Sequence, residues 1–136
     1  MNYILDACAI LTVLKAEKGA EKVLDLYEKA KNNEITLTIK KINLLEVYYK
    51  LKKFYVHEKA SSKLSQIIQH PIRVCNEMND QHFEQAARLK STYSMSLADA
   101  IAVSESIVSN ATLITTDHKE IEPIEKAENI KVLWLR

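Results

Sequence analysis

Tyr3-Ile4-Leu5-Asp6-Ala7-Cys8-Ala9-Ile10-Leu11 decides the fold class. Residues 2–5 read as a buried strand, and an apolar helix over roughly 8–15 follows at once, with an acid at the junction. A strand that runs directly into a helix, with no hairpin between them, begins an α/β unit. The same alternation continues outward. Ala20, Val23, Leu24, Tyr27 and Ala30 recur at helical spacing over about 19–32. Ile35 to Ile39 alternates as a strand, and Leu44, Leu45, Tyr48, Leu51 and Tyr55 mark a helix near 43–56. A further helix, roughly 58–70, stops ahead of Pro71. Ile72 to Cys75 reads as a strand, and Phe83, Ala86 and Ala87 as one face of a helix reaching about 93. Leu97 to Val108 is apolar almost all round and predicts a central buried helix. Ala111–Thr115 and Lys131–Leu135 read as the last two strands. The expectation is an α/β fold, a mainly parallel sheet flanked by helices on both faces, in a single domain over residues 1–136.

Bulk composition narrows the function classes. With 47% apolar and 27% charged residues in 136, the chain is ordinary for a globular domain. No apolar run approaches the ~20 residues of a membrane span. No basic segment precedes a signal-type core, which argues against secretion and for the cytoplasm. One glycine in the whole chain leaves no glycine-rich phosphate loop, against a P-loop NTPase or a dinucleotide-binding enzyme. His57, His70, His82 and His118 form no ligand-spaced pair, against zinc. Cys8 and Cys75 are isolated in apolar surroundings, as small core residues rather than a disulfide. A net charge of +1 gives no global attraction for nucleic acid, so any such binding needs a local basic patch.

Four acids sit at the ends of apolar runs or inside them: Asp6, Glu46 in Leu44-Leu45-Glu46-Val47, Asp99 in Leu97-Ala98-Asp99-Ala100-Ile101-Ala102, and Asp117 after Leu113-Ile114-Thr115-Thr116. Burying an unpaired carboxylate costs several kcal/mol or more, and no comparable set of buried-looking Lys or Arg stands ready to pair with them. Asp6 and Asp117 fall beyond the carboxyl ends of two strands, where open parallel sheets bind ligands. Glu46 and Asp99 are expected in the first turns of helices. All-oxygen ligation suits Mg²⁺ or Mn²⁺.

Each acid also has a purely structural reading. Asn43-x-x-Glu46 and Ser96-x-x-Asp99 look like capping boxes. Asp6 and Asp117 could be N-caps, the latter with Glu120 three residues on, and a cap contributes about 0.5–2 kcal/mol. Four caps gathered at the mouth of one sheet would nevertheless repel, by roughly 4 kcal/mol for two carboxylates 4 Å apart at an effective dielectric near 20.

Taken together, the strand leading into Asp6-Ala-Cys-Ala-Ile-Leu, then Asn43-Leu-Leu-Glu46-Val, Ser96-Leu-Ala-Asp99-Ala-Ile-Ala and Leu113-Ile-Thr-Thr-Asp117 resemble the acidic signatures of a PIN domain. The resemblance covers nearly the whole chain, and the compact size is most similar to VapC-type toxin ribonucleases of toxin–antitoxin pairs. It implies Mg²⁺- or Mn²⁺-dependent hydrolysis of RNA phosphodiesters, with Asp6 and Asp99 as central ligands and Glu46 and Asp117 working partly through water. It also implies a small cognate antitoxin that enters the groove, and a homodimer. Many relatives carry Ser or Thr two residues after the first Asp; here Cys8 stands there, a weaker hydrogen-bond partner. Thr115 is then a candidate compensating hydroxyl, or only a β-branched strand residue. Asn43 and Cys8 are placed beside it as supports of the ligands.

A candidate RNA surface lies in residues 40–63, where seven lysines face Glu46 and Glu58 for a local excess of +5. Lys50, Lys52 and Lys53 are the residues proposed to meet phosphate, with Tyr48, Tyr49, Phe54 and Tyr55 interleaved. Against this, lysine-rich helix faces are usually just solvated, and the aromatics could make a protein interface. Other carboxylate enzymes fit less well. A haloacid-dehalogenase-type phosphatase needs an Asp where Cys8 is, a ribonuclease-H-like enzyme follows its first Asp strand with hairpins, and a receiver domain needs adjacent acids. The remaining alternatives are a catalytically silent PIN-like module that binds RNA or protein, and an RNA-maturation nuclease that is not a toxin.

Overall fold

The computed structural model describes residues 1–69 and 71–136. Its elements run β1 (Asn2–Leu5), α1 (Ala7–Leu14), α2 (Ala20–Lys31), β2 (Thr36–Lys40), α3 (Lys41–Phe54), α4 (His57–Ile68), β3 (Ile72–Cys75), α5 (Asp80–Thr92), α6 (Leu97–Val108), β4 (Thr112–Thr115), α7 (His118–Glu128) and β5 (Lys131–Trp134). His70, at the expected end of the fourth helix, lies outside the described residues. The five strands form one sheet in the order β3-β2-β1-β4-β5. Every neighbouring pair is parallel, with Ile4 opposite both Thr38 and Leu113, and Leu5 opposite Ile39 and Ile114.

The chain winds outward from β1 to β2 and β3, then returns to the other side of β1 as β4 and β5. That reversal opens a crevice at the carboxyl ends of β1 and β4, the place where such sheets receive ligands. Strand alternation sends successive side chains to opposite faces. Leu5, Leu37, Ile39 and Ile114 join a core with residues of α1 to α4. Ile4 and Leu113 join another with Leu89 of α5, Ala100, Ala102 and Val103 of α6, and Ile121 and Ile124 of α7. Helices therefore cover both faces.

Three features differ from what the sequence suggested. The first is α7, whose periodicity is interrupted by Pro123 inside the helix; Ile121 and Ile124 still reach the core three residues apart. The second is the start of α3. Its N-cap is Lys40, so Asn43 is the third helical residue and Glu46 the sixth, and the two form no capping box. The third is Lys40 itself, which is 3% exposed. On β2 it follows Thr38 on the face opposite Leu37 and Ile39, and α6 covers that face. There Lys40 Nζ lies 3.8 Å from Glu105 Oε2 and 3.4 Å from Cys75 Sγ, and it donates to the Glu77 carbonyl. His82 of α5 touches the same carboxylate. A buried cation therefore exists, but its partner is an acid inside α6, and it is lost to the exposed basic patch.

Candidate metal centre

Asp6 is the N-cap of α1, and its Oδ1 accepts from Ala9 N–H at 2.9 Å. The backbone N–H of Asp6 reaches the Ile114 carbonyl at 3.3 Å, which ties the junction to β4. The capping reading is therefore correct for one oxygen only. The other, Oδ2, is buried and has no partner in hydrogen-bond geometry among the described residues, although the Thr115 hydroxyl lies close enough to the carboxylate to favour its charged form. Burial is the main reason the Asp6 carboxyl is pushed up to about 7; the Thr115 hydroxyl and Ala9 N–H pull it down, while Glu46 and Asp117 push it further up. A buried carboxylate with an idle oxygen is energetically unfavourable unless a proton or a cation meets it.

Asp99, Asp117 and Glu120 complete the neighbourhood, with ligand oxygens all within 4.8 Å of one another. Ser96 caps α6 by accepting from Asp99 N–H at 3.1 Å. In a capping box Asp99 would reach back to Ser96 N–H. Here that N–H is 3.4 Å from Glu120 Oε2 instead, so the Asp99 carboxylate is free to face the crevice. Asp117 caps α7 through Glu120 N–H at 3.1 Å, and its own N–H is fixed by Thr115 Oγ at 3.0 Å.

Burial first, then the hydrogen bond with Glu120 and the charges of Asp6, Glu120 and Asp117, push Asp99 up to about 8. Glu120 is lowered, chiefly by that hydrogen bond. Glu120 is the member that sequence reasoning missed as a ligand. Its signal was present, three residues after Asp117, but was absorbed into the capping reading.

Glu46 stands apart from this cluster. It sits in the second turn of α3, paired with Lys50 Nζ at 3.0 Å, yet its charge is felt at Asp6. Burial lowers the Lys50 pKa, but the hydrogen bond and charge of Glu46 outweigh it, for a net rise. Asn43 is buried; its Nδ2 donates to the Ala98 carbonyl at 3.2 Å, next to Asp99, and its Oδ1 has no partner among the described residues. Cys8 lies in the first turn of α1, its thiol pushed up to about 12 by burial and by Asp6, so it stays protonated. The donors here are all oxygens, one of them idle and buried. That set fits a hard divalent cation.

The three lysines expected to meet RNA have different neighbours. Lys52 Nζ lies over the Tyr48 ring at 4.9 Å, Lys53 over Tyr49 at 5.3 Å, and Lys50 is held by Glu46. Tyr48 and Tyr55 pack partly against the core, while Phe54 is 70% exposed.

The sequence model of the PIN domain matches residues 3–126. No curated protein sequence matches the chain. Among solved structures, the chain is similar to VapBC2 from Rickettsia felis bound to a DNA fragment from their promoter, at 22% identity and a TM-score of 0.76 over 98% of each chain. It is similar to VapBC-1 from nontypeable Haemophilus influenzae, at 20% identity and a TM-score of 0.75, covering 99% of this chain and 98% of that one. DNA-bound VapBC from Salmonella typhimurium gives 16% identity and a TM-score of 0.76, over 100% and 99%. At such identities the likeness is one of fold.

Proposed function

The chain belongs to the PIN domain family, and from that premise we propose that it is a divalent-metal-dependent endoribonuclease acting as the toxin of a toxin–antitoxin pair. The carrying observation is the buried, unpartnered Oδ2 of Asp6 beside the Asp99–Asp117–Glu120 cluster. Asp99, Asp117 and Glu120 would hold the ion together with Asp6, and Glu46 would act from its edge. A divalent cation in that place supplies Lewis acidity and orientation for attack of water on a phosphodiester. The chain's own part is to aim the carboxylates. The capping bond of Asp6 fixes one oxygen and presents the other, Ser96 and Glu120 turn Asp99 toward the crevice, and Thr115 sets the backbone at Asp117. Asn43 and the protonated Cys8 support these groups without carrying charge. Because water is the nucleophile, the chemistry does not require a 2′-hydroxyl, and preference for RNA must come from binding.

The VapBC neighbours support a small antitoxin as the partner, and we carry the homodimer and the cytoplasmic setting with that reading. No described helix is long and apolar enough to cross a membrane. The test is digestion of total RNA with Mg²⁺ or Mn²⁺, comparing wild type with Asp99→Asn, with cut sites mapped. Cleavage that needs the metal and disappears in the variant is expected. Equal cleavage by both, or cleavage in chelator, overturns the proposal.

A further inference from the structure

A cleft between α1 and α3 lies beside the metal centre. Cys8 and Thr116 form its inner end and adjoin Asp6 and Asp117; Lys15, Lys50, Lys53 and Arg136 line its walls with Phe54. Two of these four cations are already paired: Lys50 with Glu46 at 3.0 Å, and Arg136 with Glu17 at 3.4 Å, while Arg136 also donates to Thr12 and to the Lys18 carbonyl. Lys15 and Lys53 have no ion-pair partner among the described residues. Lys15 Nζ lies over the Phe54 ring, 5.2 Å from its centre, so one face of this exposed aromatic already carries positive charge.

Unpaired like charges draw no stability from their own repulsion, and the cavity beside them has a volume of about 470 Å³. We propose that this cleft carries the sugar–phosphate backbone of single-stranded RNA on one side of the cut, with Lys15 and Lys53 on successive phosphates and a base stacked on Phe54. The inference rests on the nuclease reading and extends it: it names where the strand lies and which residues bind it. It also revises the sequence expectation. Lys53 stays, Lys52 lies over Tyr48 and outside the cleft, Lys50 belongs to Glu46, and Lys15 enters from a different helix. The unpaired Lys15 and Lys53 favour a polyanion in this part of the groove. Stacking on an aromatic side chain explains how any base can be accepted.

The experiment uses Asp99→Asn protein, so that RNA is bound without being cut, and follows a short fluorescein-labelled single-stranded RNA by anisotropy across a range of KCl. Adding Lys15→Glu and Lys53→Glu is expected to weaken binding and to lower the slope of log K against log salt by about 1.4, since each single-strand phosphate contact contributes about 0.7. Phe54→Ala is expected to weaken binding roughly tenfold. Lys126→Glu with Lys131→Glu, which line no part of the cleft, is expected to change neither quantity. Lys15→Gln with Lys53→Gln serves if the reversed charges disturb folding.

Binding that keeps its affinity and slope in the Lys15/Lys53 variants overturns the proposal, even where wild-type cleavage depends on Asp99 as expected. Equal losses in the Lys126/Lys131 control also overturn it, because bulk charge alone would then be acting. So does a Lys15/Lys53 variant that binds RNA normally but loses a protein partner. If wild type proves not to cut RNA while binding still depends on Lys15, Lys53 and Phe54, the cleft stands as an RNA site and the nuclease reading falls alone.

Discussion

Asp6 and Asp99 carry the energetics of this site. Their carboxyls stand at about 7 and about 8, both far above the ordinary 3.8, with burial the first cause in each. At these two groups the folded state therefore binds more protons than the unfolded chain between pH ~4 and ~8, and the stability they contribute falls as pH rises through that window. In chelator, the melting temperature is expected to drop across that range, as stability falls by on the order of a few kcal/mol from Asp6 alone. Asp6→Asn keeps the cap while removing the titration, so it should flatten the profile and raise stability near pH 8. A melting temperature that rises from pH 5 to 8 in chelator would refute this. At this scale the sequence was informative where an acid ended an apolar run, as at Asp6 and Asp117, or interrupted one, as at Asp99. It was less so for Glu120 and Lys40, whose roles depend on neighbours supplied by other elements. Glu120 reads as a cap until α6 is placed beside it, and Lys40 reads as one more surface lysine until α6 covers β2.

Helix α6 shows how one element serves two sites. Its first turn aims Asp99 at the crevice, and two turns later Glu105, 7% exposed, meets the buried Lys40. Ser104 and Ser106 bond back to the Ile101 and Val103 carbonyls at 2.8 Å, which lets polar residues sit in an otherwise apolar helix. Removing one member of a buried ion pair leaves the other charge stranded, typically at a cost of about 3–5 kcal/mol. Glu105→Leu and Lys40→Met are each expected to destabilise by that order in urea titrations, and the double variant by less than the sum. Strict additivity would mean that the two charges do not interact. Most elements were legible because their apolar residues repeat at 3.6 or 2, as in α2 and β2. Helix α7 was not, since Pro123 breaks the pattern and only Ile121 and Ile124 remain to signal it. The start of α3 was misplaced for a similar reason: Lys41 and Lys40 carry no cap signature, so Asn43 drew the boundary.

For the molecule as a whole, Asp6, Asp99 and Asp117 are distant in sequence and meet because the sheet reverses its winding at β1. Asp6 follows β1, Asp117 follows β4, and Asp99 comes from the helix that leads into β4. No local signal could have placed Glu46 at the edge of the cluster rather than inside it, because that depends on the register of α3 against β2. The assembled site makes metal binding a property of the folded state alone. A ligand that binds only the native chain stabilises it by RT ln(1 + [L]/Kd), about 2.7 kcal/mol at a hundredfold excess over Kd. Millimolar Mn²⁺ is therefore expected to raise the melting temperature of wild type, and more strongly near pH 8 than near pH 5, because the ion and the protons on Asp6 and Asp99 compete for the same oxygens. Asp99→Asn should lose most of this gain, whereas Lys15→Gln with Lys53→Gln should keep it, since the cleft lysines bind the strand and not the ion. A wild-type melting temperature that does not respond to Mn²⁺ at either pH would leave the idle oxygen of Asp6 to a proton, and the carboxylates to a structural role.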